Sequence, residues 1–303
     1  MEKTEKIWMD GKLVNWNEAK VHVLAHALNY GTGVFEGIRV YETDKGKAIF
    51  RAKEHVRRLI DGCKVMCFDL PYTADEILKA MSDVIKANKK VDYIKPCVFL
   101  AGEEVGLNPI GVPVSFSITS VYLGSYLGKD AQEKGASLAT SSWLRPWNMG
   151  APAGAKVNGV YVTSTLAKRE AKMKGADEAV MLNAQGNVAE CSGENIFIFK
   201  RGKLYTPTAA SSILEGITRN SIIEVARDLG YEVIETDISR VEMLTADEVF
   251  MTGTAAEVSV VTKIDDRLIG DGKPGPVAKQ LGAKFREIVT GKDPKYDSWL
   301  YRI

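Results

Sequence analysis

The residues best suited to chemistry lie in four short segments of the second half of the chain. They are Lys156, residues 190–195 (Glu-Cys-Ser-Gly-Glu-Asn), residues 216–219 (Gly-Ile-Thr-Arg) and residues 253–257 (Gly-Thr-Ala-Ala-Glu). A lysine amine can form a Schiff base, and a carboxylate such as Glu190 can keep a ring nitrogen protonated. A glycine turn at a helix start can hold a phosphate, because the first amide N–H groups of a helix are unpaired. Together these segments predict a site for one flat, phosphate-bearing cofactor such as pyridoxal phosphate.

Each segment has an ordinary explanation when it is taken alone. A glycine–threonine turn, as at 216–218 or 253–254, can be a plain helix cap or strand turn. Most lysines are solvated, and Glu190 beside small residues also fits an exposed turn. The prediction of a cofactor site therefore depends on the segments occurring together.

Composition excludes several classes of protein. The chain has 303 residues, 45% of them hydrophobic, and a formal net charge of +1, which gives no reason to expect binding to nucleic acid or to an anionic membrane. The first residues are polar with no apolar stretch behind them, and no run of about 18 apolar residues occurs. The four cysteines do not form a disulfide framework pattern in a chain of this length. We therefore expect a soluble cytoplasmic protein.

Two pairs of side chains with a spacing of four residues raise the question of a metal. Cys63 and Cys67 lie on a predicted helix, and His22 and His26 precede it in the chain. Neither pair has a further ligand at suitable spacing. We predict no metal site and expect both cysteines to be small buried residues.

The hydrophobic periodicity predicts a mixed α+β protein. The predicted elements are a hairpin over 7–14, strands over 34–43 and 47–50, helices over about 56–67 and from 74, strands 93–101, 112–121 and 137–141, a helix 162–174, strands 178–183 and 195–200, a helix 217–229, strands 248–252 and 258–263, and a helix after Pro276. We predict an N-terminal αβ domain over 1–121, a linker over 122–136 and a larger cofactor-binding domain over 137–303. The proline- and glycine-rich loop 145–155 is expected to form part of the site.

Two further patterns are informative. Residues 31–37 (Gly-Thr-Gly-Val-Phe-Glu-Gly) resemble a dinucleotide fingerprint, but the third glycine is one place late and a strand, not a helix, is predicted next, so we exclude a nicotinamide-binding fold. On the predicted helix over about 56–67, Arg58 points away from the apolar residues at 56, 59, 60 and 63. Periodicity alone therefore predicts a solvated Arg58.

The constellation resembles the branched-chain amino acid aminotransferases, which have the fold-type IV architecture of pyridoxal-phosphate enzymes with two αβ domains. The resemblance covers nearly the whole chain and rests on residues 30–39, 54–59, 106–109, 155–156, 190–195, 216–219 and 253–257. It implies transamination of leucine, isoleucine and valine with 2-oxoglutarate. It also implies small amino and 2-oxo acids as partners, and at least a homodimer.

The resemblance implies a role for each cofactor-binding residue. Lys156 would form the Schiff base and then carry a proton between the substrate Cα and the cofactor, Glu190 would pair with the ring nitrogen, and Tyr161 would bond the phenolic oxygen. The phosphate would bind to Arg58, Ile217, Thr218 and Thr254, and the resemblance thereby reverses the prediction that Arg58 is solvated. The remaining cofactor-binding residues implied are Leu214, which would pack on the ring, and Gly193, Glu194, Gly216 and Gly253.

The resemblance also implies a set of substrate-binding residues. The substrate carboxylate would bind to Tyr93, supported by Arg39, and to the backbone of Thr254 and Ala255. The pocket for the side chain would be lined by Phe35, Gly37, Tyr126 and Tyr161, with Tyr30 and Leu107 coming from the partner subunit. For Phe35, a place in the core is an equally good explanation.

The chain departs from the family pattern in three places. The family usually has Tyr-Ile-Arg-Pro where this chain has Lys95 in the sequence Tyr-Ile-Lys-Pro, and lysine keeps the charge but loses the planar two-pronged grip on a carboxylate. Leu123 replaces a common tryptophan, and the loop 147–154 also differs. We expect weaker use of 2-oxoglutarate or a shifted range of amino donors. Two alternatives remain: a D-amino acid or (R)-amine aminotransferase or an aminodeoxychorismate lyase of the same fold, and a non-catalytic ligand-binding protein.

Overall fold

The computed structural model describes residues 1–124, 134–147 and 150–303. The chain divides into two units. The first comprises residues 1–124, 155–159 and 288–303, and the second comprises residues 125–154 and 160–287. The chain therefore enters the first unit three times.

The described part of the first unit is built on a nine-stranded, wholly antiparallel sheet. Its strands are β1 Glu2–Lys3, β2 Lys6–Met9, β3 Lys12–Asn15, β4 Gly33–Phe35, β5 Ile38–Thr43, β6 Gly46–Phe50, β7 Tyr93–Leu100, β8 Val114–Tyr122 and β19 Leu300–Arg302. They run in the order β19-β6-β5-β7-β8-β2-β3, while β1 pairs with β8 and β4 pairs with β7. The predicted hairpin is confirmed, because β2 and β3 pair across the turn at Asp10-Gly11.

Three helices belong to the described part of the first unit: α1 His26–Tyr30, α2 Ala52–Val65 and α3 Ala74–Lys86. A capping box begins α3, because the Thr73 hydroxyl accepts from the Glu76 amide while the Glu76 carboxylate accepts from the Thr73 amide. The prediction for Cys67 is wrong. Since α2 ends at Val65, Cys67 lies beyond the helix with φ 55° and is exposed, whereas Cys63 is buried.

The predicted strand over 34–43 is interrupted in the structure. β4 ends at Phe35 and β5 begins at Ile38, so Glu36 and Gly37 lie between them. The Glu36 amide still donates to the Pro96 carbonyl at 2.8 Å. A methyl group on Gly37 would lie 1.9 Å from the Tyr93 hydroxyl, so only glycine admits this tyrosine here. Hydrophobic periodicity carries no signal for such a break.

The described part of the second unit contains a ten-stranded mixed sheet. Its strands are β9 Ala136–Thr140, β10 Glu178–Leu182, β11 Asn187–Cys191, β12 Asn195–Lys200, β13 Lys203–Thr206, β14 Val233–Glu235, β15 Ile238–Ser239, β16 Glu248–Gly253, β17 Glu257–Ile264 and β18 Arg267–Leu268. They run in the order β14-β13-β12-β16-β17-β9-β10-β11-β15, with β18 beside β17. The parallel pairs are β9 with β10, β9 with β17, and β13 with β14.

The second unit also carries the helices α4 Tyr161–Met173, α5 Ile217–Asp228 and α6 Arg240–Leu244, and most of α7 Pro276–Val289. One core cluster lies along β9 to β12, β16 and β17 and includes Val180, Ile196 and Met251. A second cluster joins small residues of α4, such as Ala167 and Ala171, to Ala179 and Met181 of β10. The predicted helices at 162–174 and 217–229 are confirmed.

The division of the chain differs from the predicted continuous domain over 137–303. Residues 288–303 group with the first unit because β19 pairs antiparallel with β6. Residues 155–159 group with it because the Phe35 amide donates to the Lys156 carbonyl at 3.0 Å and the Gly159 amide to the Gly31 carbonyl at 3.0 Å. Much of the predicted linker lies outside the described residues and stays a prediction. None of the described helices has the length and apolarity needed to cross a membrane.

Candidate active site

Lys156 lies in the first unit on a segment that is tied to β4. Its carbonyl accepts from the Phe35 amide, and the next residue, Val157, forms an antiparallel bridge with Val34. The Lys156 side chain is half-buried, and its amine lies 4.8 Å from the centroid of the Phe35 ring. A lysine placed in this way is shielded on one side by an aromatic ring. The geometry suits an amine that must attack a bound aldehyde.

Phe35 and Gly37 lie beside two predicted substrate-binding residues of β7. The Lys95 amine lies 4.9 Å from the centroid of the half-buried Phe35 ring, which is the ring that Lys156 also contacts. The Tyr93 hydroxyl lies over the Cα of Gly37. The structure therefore brings these residues together with Lys156 within the first unit.

Arg39 and Leu123 are both held by the carboxylate of Asp92. Arg39 donates to Asp92 at 2.9 Å and to the Gly124 carbonyl at 2.8 Å. The amides of Leu123 and Gly124 donate to Asp92 at 2.6 Å and 2.9 Å. Arg39 also lies opposite Tyr93 in the pairing of β5 with β7. Asp92 thereby fixes Arg39 next to the strand position of Tyr93.

Arg58 is not the solvated residue that periodicity predicts. Its side chain is 17% exposed and forms an ion pair with the fully buried Glu36. Glu36 also accepts from His55 at 2.7 Å. Hydrophobic periodicity fails to predict the burial of Arg58 because it uses only the apolar residues of the same helix. It cannot anticipate a buried carboxylate from another part of the chain.

Tyr30 and Leu107 are exposed on the surface of the first unit. Tyr30 is 38% exposed and Leu107 is 78% exposed. The amide of Gly106 donates to the Tyr30 hydroxyl at 3.2 Å, so α1 and the segment around Leu107 are linked. Both residues are therefore accessible to a second molecule.

In the second unit, Glu190 is a buried residue of β11, which rules out the exposed-turn explanation. Its carboxylate pairs with Arg145 at 2.7 Å and accepts from the Asn195 amide group at 2.9 Å and from the Leu214 backbone amide at 3.1 Å. Asn195 also donates to the Leu214 carbonyl at 2.8 Å. The carboxylate predicted to pair with the cofactor ring is thus fixed by three partners, and Leu214 lies directly beside it.

The helix start predicted at Gly216 is confirmed, since Gly216 precedes the first residue of α5 in an extended conformation. The side chains of Ile217 and Thr218 are buried in its first turn. A methyl group on Gly216 would lie 2.0 Å from the Asn195 side-chain oxygen. The space beside this glycine is therefore taken by Asn195, which explains why a residue without a side chain is needed here. The role of Gly216 in cofactor binding stays a prediction.

Gly193 and Glu194 form the turn between β11 and β12. Gly193 is exposed, while the Glu194 carboxyl is buried and hydrogen-bonds to the buried Glu178. Burial and the nearby Glu178 charge raise the pKa of Glu194 to about 8. Glu178 also accepts from Ser192 at 2.5 Å and pairs with Lys168. Two ionised carboxylates can only accept, so one of this pair carries a proton.

The remaining cofactor and substrate residues of the second unit lie at element ends. Gly253 closes β16 and pairs with Glu257, so that the half-buried Thr254 and Ala255 form the tight turn before β17. Tyr161 is the first residue of α4 and is half-buried. Tyr126 lies outside the described residues.

Several residues that contact the predicted site residues have no role assigned from the sequence. They include Glu36, His55 and Asp92 in the first unit and Arg145, Glu178 and Asn195 in the second. Arg145 is 3% exposed and also donates to the carbonyl of Ser212 at 3.2 Å. The sequence signal for a role of Arg145 is its position at the start of the proline- and glycine-rich loop, because an arginine in a site-forming loop needs an acceptor or a carboxylate as a partner. Among the described residues, no group of three potential ligands lies close enough to hold a metal ion.

Each unit holds groups that suit pyridoxal phosphate. The first unit has a half-buried lysine amine and a half-buried arginine. The second unit has a carboxylate with fixed partners and a helix start with a buried threonine. These groups match the aldehyde, the phosphate and the ring nitrogen of the cofactor.

Comparison with known proteins identifies the family. Residues 33–264 match the family described as amino-transferase class IV. A branched-chain-amino-acid aminotransferase of Pseudomonas aeruginosa is 44% identical over 97% of this chain and 95% of its own length. One from Escherichia coli strain K12 is 41% identical over 100% and 98%. The chain therefore belongs to the class IV amino-transferase family, among relatives that are branched-chain-amino-acid aminotransferases.

Solved structures agree with this assignment. A crystal structure of a branched-chain amino acid aminotransferase with pyridoxamine 5'-phosphate matches with a TM-score of 0.96 and 48% identity, covering 100% of this chain and 99% of that one. The enzyme from Thermoproteus uzoniensis with norvaline matches with a TM-score of 0.93 and 42% identity, covering 98% of both chains. The fold is therefore that of the fold-type IV aminotransferases, as predicted.

Proposed function

We propose that this chain catalyses pyridoxal-phosphate-dependent transamination of leucine, isoleucine and valine with 2-oxoglutarate, giving branched-chain 2-oxo acids and L-glutamate. The observation that carries the proposal is Lys156, whose half-buried amine lies 4.8 Å from the Phe35 ring in a chain whose relatives are branched-chain aminotransferases. The bound cofactor would supply an electron sink for the charge that develops when the substrate Cα loses its proton. The protein binds, orients and moves that proton.

Lys156 would hold the cofactor and would act as the base that moves the proton of the substrate Cα. Glu190, fixed by Arg145 and Asn195, would keep the ring nitrogen protonated. Tyr161 would donate to the phenolic oxygen.

The other cofactor contacts follow the same proposal. Arg58, Ile217, Thr218 and Thr254 bind the phosphate, with Gly216 and Gly253 at the two turns that present these backbone amides. Leu214 packs on the ring. Gly193 and Glu194 shape the turn that follows Glu190.

Substrate contacts are proposed for the residues that the family resemblance implies. Tyr93, with Arg39 beside it in the sheet, and the backbone of Thr254 and Ala255 bind the substrate carboxylate. The substrate side chain contacts Phe35, Gly37, Leu123, Tyr126 and Tyr161. An aromatic and aliphatic surface of this kind favours branched aliphatic side chains.

We also propose that the chain works as a homodimer in which Tyr30 and Leu107 contact the substrate of the partner. In support, both side chains are exposed, and the sequence segments around them contain further exposed apolar residues: Val21, Val23, Leu24, Leu28, Val105 and Ile110. The cytoplasmic location stays a prediction.

The experiment that tests the function is a panel of half-reactions. The cofactor-loaded protein is mixed separately with L-leucine, L-glutamate, D-alanine and (R)-1-phenylethylamine, and the cofactor absorbance is followed. We expect fast conversion with L-leucine and none for Lys156→Ala, which keeps the rest of the site but lacks the amine. Faster conversion with D-alanine or the amine would instead support another aminotransferase of this fold. A protein that binds no cofactor would support the non-catalytic alternative.

Lys95 determines how the second substrate is used. An arginine grips a carboxylate with two parallel N–H groups, whereas lysine offers a point charge. We expect Lys95→Arg to lower the KM for 2-oxoglutarate about threefold or more, while the half-reaction with L-leucine stays nearly unchanged. An unchanged KM for 2-oxoglutarate would contradict this role.

A further inference from the structure

The phosphate-binding arginine proposed above is held by a buried carboxylate. Arg58 donates through Nε to one oxygen of Glu36 at 2.6 Å and through Nη2 to the other at 2.8 Å. Glu36 is completely buried. A guanidinium has five N–H groups in one plane, so two parallel bonds to a carboxylate fix the orientation of that plane.

His55 completes the group. Its Nδ1 lies 2.7 Å from the Glu36 oxygen that Nη2 also contacts. Burial lowers the pKa of His55, and the charges of Arg58 and Lys156 act in the same direction, although Glu36 opposes them. Burial raises the pKa of Glu36, but Arg58 and His55 outweigh it and hold this pKa well below its usual range. Glu36 is therefore an ionised acceptor, and a neutral His55 must donate from Nδ1.

Two separate elements build this group. His55 and Arg58 are three residues apart on α2 and so share a helix face. Glu36 comes from the break between β4 and β5, where its amide is anchored to Pro96. The preceding residue, Phe35, is bonded through its amide to Lys156. Arg58 is therefore held by Glu36, and the backbone of Lys156 is held by the adjacent residue Phe35.

We propose that Glu36 and His55 are positioning residues that hold Arg58 ready for the phosphate of the cofactor. The inference rests on the proposed function, in which Arg58 binds that phosphate. The two bonds from Nε and Nη2 to Glu36 fix the plane of the Arg58 guanidinium. His55 keeps the Glu36 carboxylate from rotating, because it bonds the oxygen shared with Nη2.

The physical basis is pre-organisation. A long arginine side chain loses considerable rotamer freedom when it binds a ligand, and a side chain already fixed in the free protein loses less. A carboxylate so close to a phosphate site also repels the phosphate charge. The proposal therefore requires that the gain in binding from a fixed orientation exceeds this repulsion. Removing the charge of Glu36 should then weaken phosphate binding and not strengthen it.

The test compares two ligands that differ only in the phosphate. Dissociation constants of the full-length chain for pyridoxal 5'-phosphate and for pyridoxal are measured from the cofactor absorbance. We expect Glu36→Gln to weaken binding of the phosphate form about tenfold while binding of pyridoxal changes less than about twofold. A change in stability affects both ligands alike, so the ratio of the two constants reports on the phosphate contact.

Two substitutions of His55 distinguish positioning from packing. His55→Asn places an amide N–H near the position of Nδ1 and should retain most of the preference for the phosphate form. His55→Leu fills similar space without a donor and should lose part of it, about threefold. Asp61→Asn is the matched control, since Asp61 is a carboxylate on α2 that pairs with Arg57 and Lys64, and it should leave the ratio unchanged.

The outcomes separate this inference from the proposed function. If Glu36→Gln leaves the ratio unchanged or favours the phosphate form, or if His55→Leu and His55→Asn behave alike, the positioning role is overturned. Conversion of L-leucine by the unaltered protein would in that case leave the proposed function standing. Failure of the unaltered protein to prefer pyridoxal 5'-phosphate over pyridoxal would instead count against the proposed role of Arg58.

Discussion

Buried carboxyl groups of the second unit differ in their partners and hence in their proposed tasks. Glu190 is paired with Arg145 and accepts two further hydrogen bonds. Glu194, four residues along, faces the carboxyl of Glu178 instead. A cationic partner favours the ionised form and a neighbouring carboxyl favours the protonated form. The partner of Glu190 thus favours the ionised carboxylate, whereas the partner of Glu194 favours the protonated carboxyl group.

The Glu194 proton predicts a dependence of stability on pH. The pKa of Glu194 is about 8 in the folded protein and about 4.3 in an unfolded chain, so the folded state binds this proton more tightly. The stability from this group is fully present below the unfolded pKa and is lost as pH rises toward 8. We expect the free energy of unfolding to fall through this group by roughly 1 kcal/mol per pH unit as pH rises from about 5 toward 8.

Chemical denaturation of the unaltered protein and of Glu194→Gln at several pH values checks this. The variant keeps a neutral hydrogen-bonding side chain and should lose most of the fall. Glu224→Gln, an exposed residue of α5, is the control and should keep the unaltered pH dependence. Parallel curves for the unaltered protein and Glu194→Gln would show that Glu194 does not carry the proton.

Single residues were predicted unevenly. Lys156, Glu190 and Thr218 each lie in a family motif, so a role can be predicted for each from the sequence, and these roles stay predictions. Arg58 shows the limit: its partner Glu36 is 22 residues away, and only the fold brings the two together. The contact of Arg145 with Glu190 joins a loop to a strand and is likewise absent from any local pattern.

Among the elements, the break between β4 and β5 is the one that organises the first unit. Phe35 faces the amines of Lys95 and Lys156, Glu36 holds Arg58, and Gly37 makes room for Tyr93. A continuous strand would point these side chains alternately to opposite faces. Interrupting the strand at Glu36 and Gly37 frees the chain from this alternation.

The break predicts the effect of Gly37→Ala. The added methyl group would lie 1.9 Å from the Tyr93 hydroxyl and 2.9 Å from the adjacent ring carbon, so the tyrosine must move. Because Tyr93 is proposed to bind the substrate carboxylate, we expect the KM for L-leucine to rise about tenfold, which corresponds to about 1.4 kcal/mol of lost binding. Steady-state kinetics with L-leucine measures this change in KM.

Gly282→Ala is the matched control for this substitution. A methyl group there meets Val258 at 3.7 Å, an ordinary contact, and alanine is the better helix former in α7. The KM should not change in this control. In a Tyr93→Phe background, which lacks the hydroxyl, Gly37→Ala should add less to the KM. A full additional increase there would contradict displacement of the hydroxyl as the cause.

Most elements with a clear period were predicted from the sequence, among them α3, β7, α4 and α5. The short strands β11, β13, β14, β15, β18 and β19 were not. Strands of two to five residues contain too few side chains to establish an alternation, and their pairing partners decide whether they form. β19 shows this best, since three residues at the end of the chain become a strand only through their bonds to β6.

The exposed apolar residues of the first unit matter for the molecule as a whole. Leu107 is 78% exposed and lies beside Gly106, which is bonded to Tyr30. We expect Leu107→Asp to convert the proposed dimer into monomers, because a charge in the proposed apolar interface would lose its hydration. Sedimentation analysis measures the assembly, and the half-reaction with L-leucine should slow at least about tenfold with it.

The control is Leu268→Asp in the second unit. Leu268 is 63% exposed and lies outside the proposed interface, so this variant should remain dimeric and active. A Leu107→Asp protein that keeps the assembly state and activity of the unaltered chain would remove Leu107 from the proposed interface.

The sequence alone determined the α+β class, the family, the cofactor and the residues expected to bind it, because motifs and hydrophobic periods are properties of neighbouring residues. The tertiary structure decided what those residues contact. It assigned residues 155–159 and 288–303 to the first unit through hydrogen bonds to distant strands. It also placed Glu36 against Arg58, Arg145 against Glu190, and Glu194 against Glu178. Such pairs depend on burial, since a charge removed from water needs a partner, and burial is set only when the whole chain has folded.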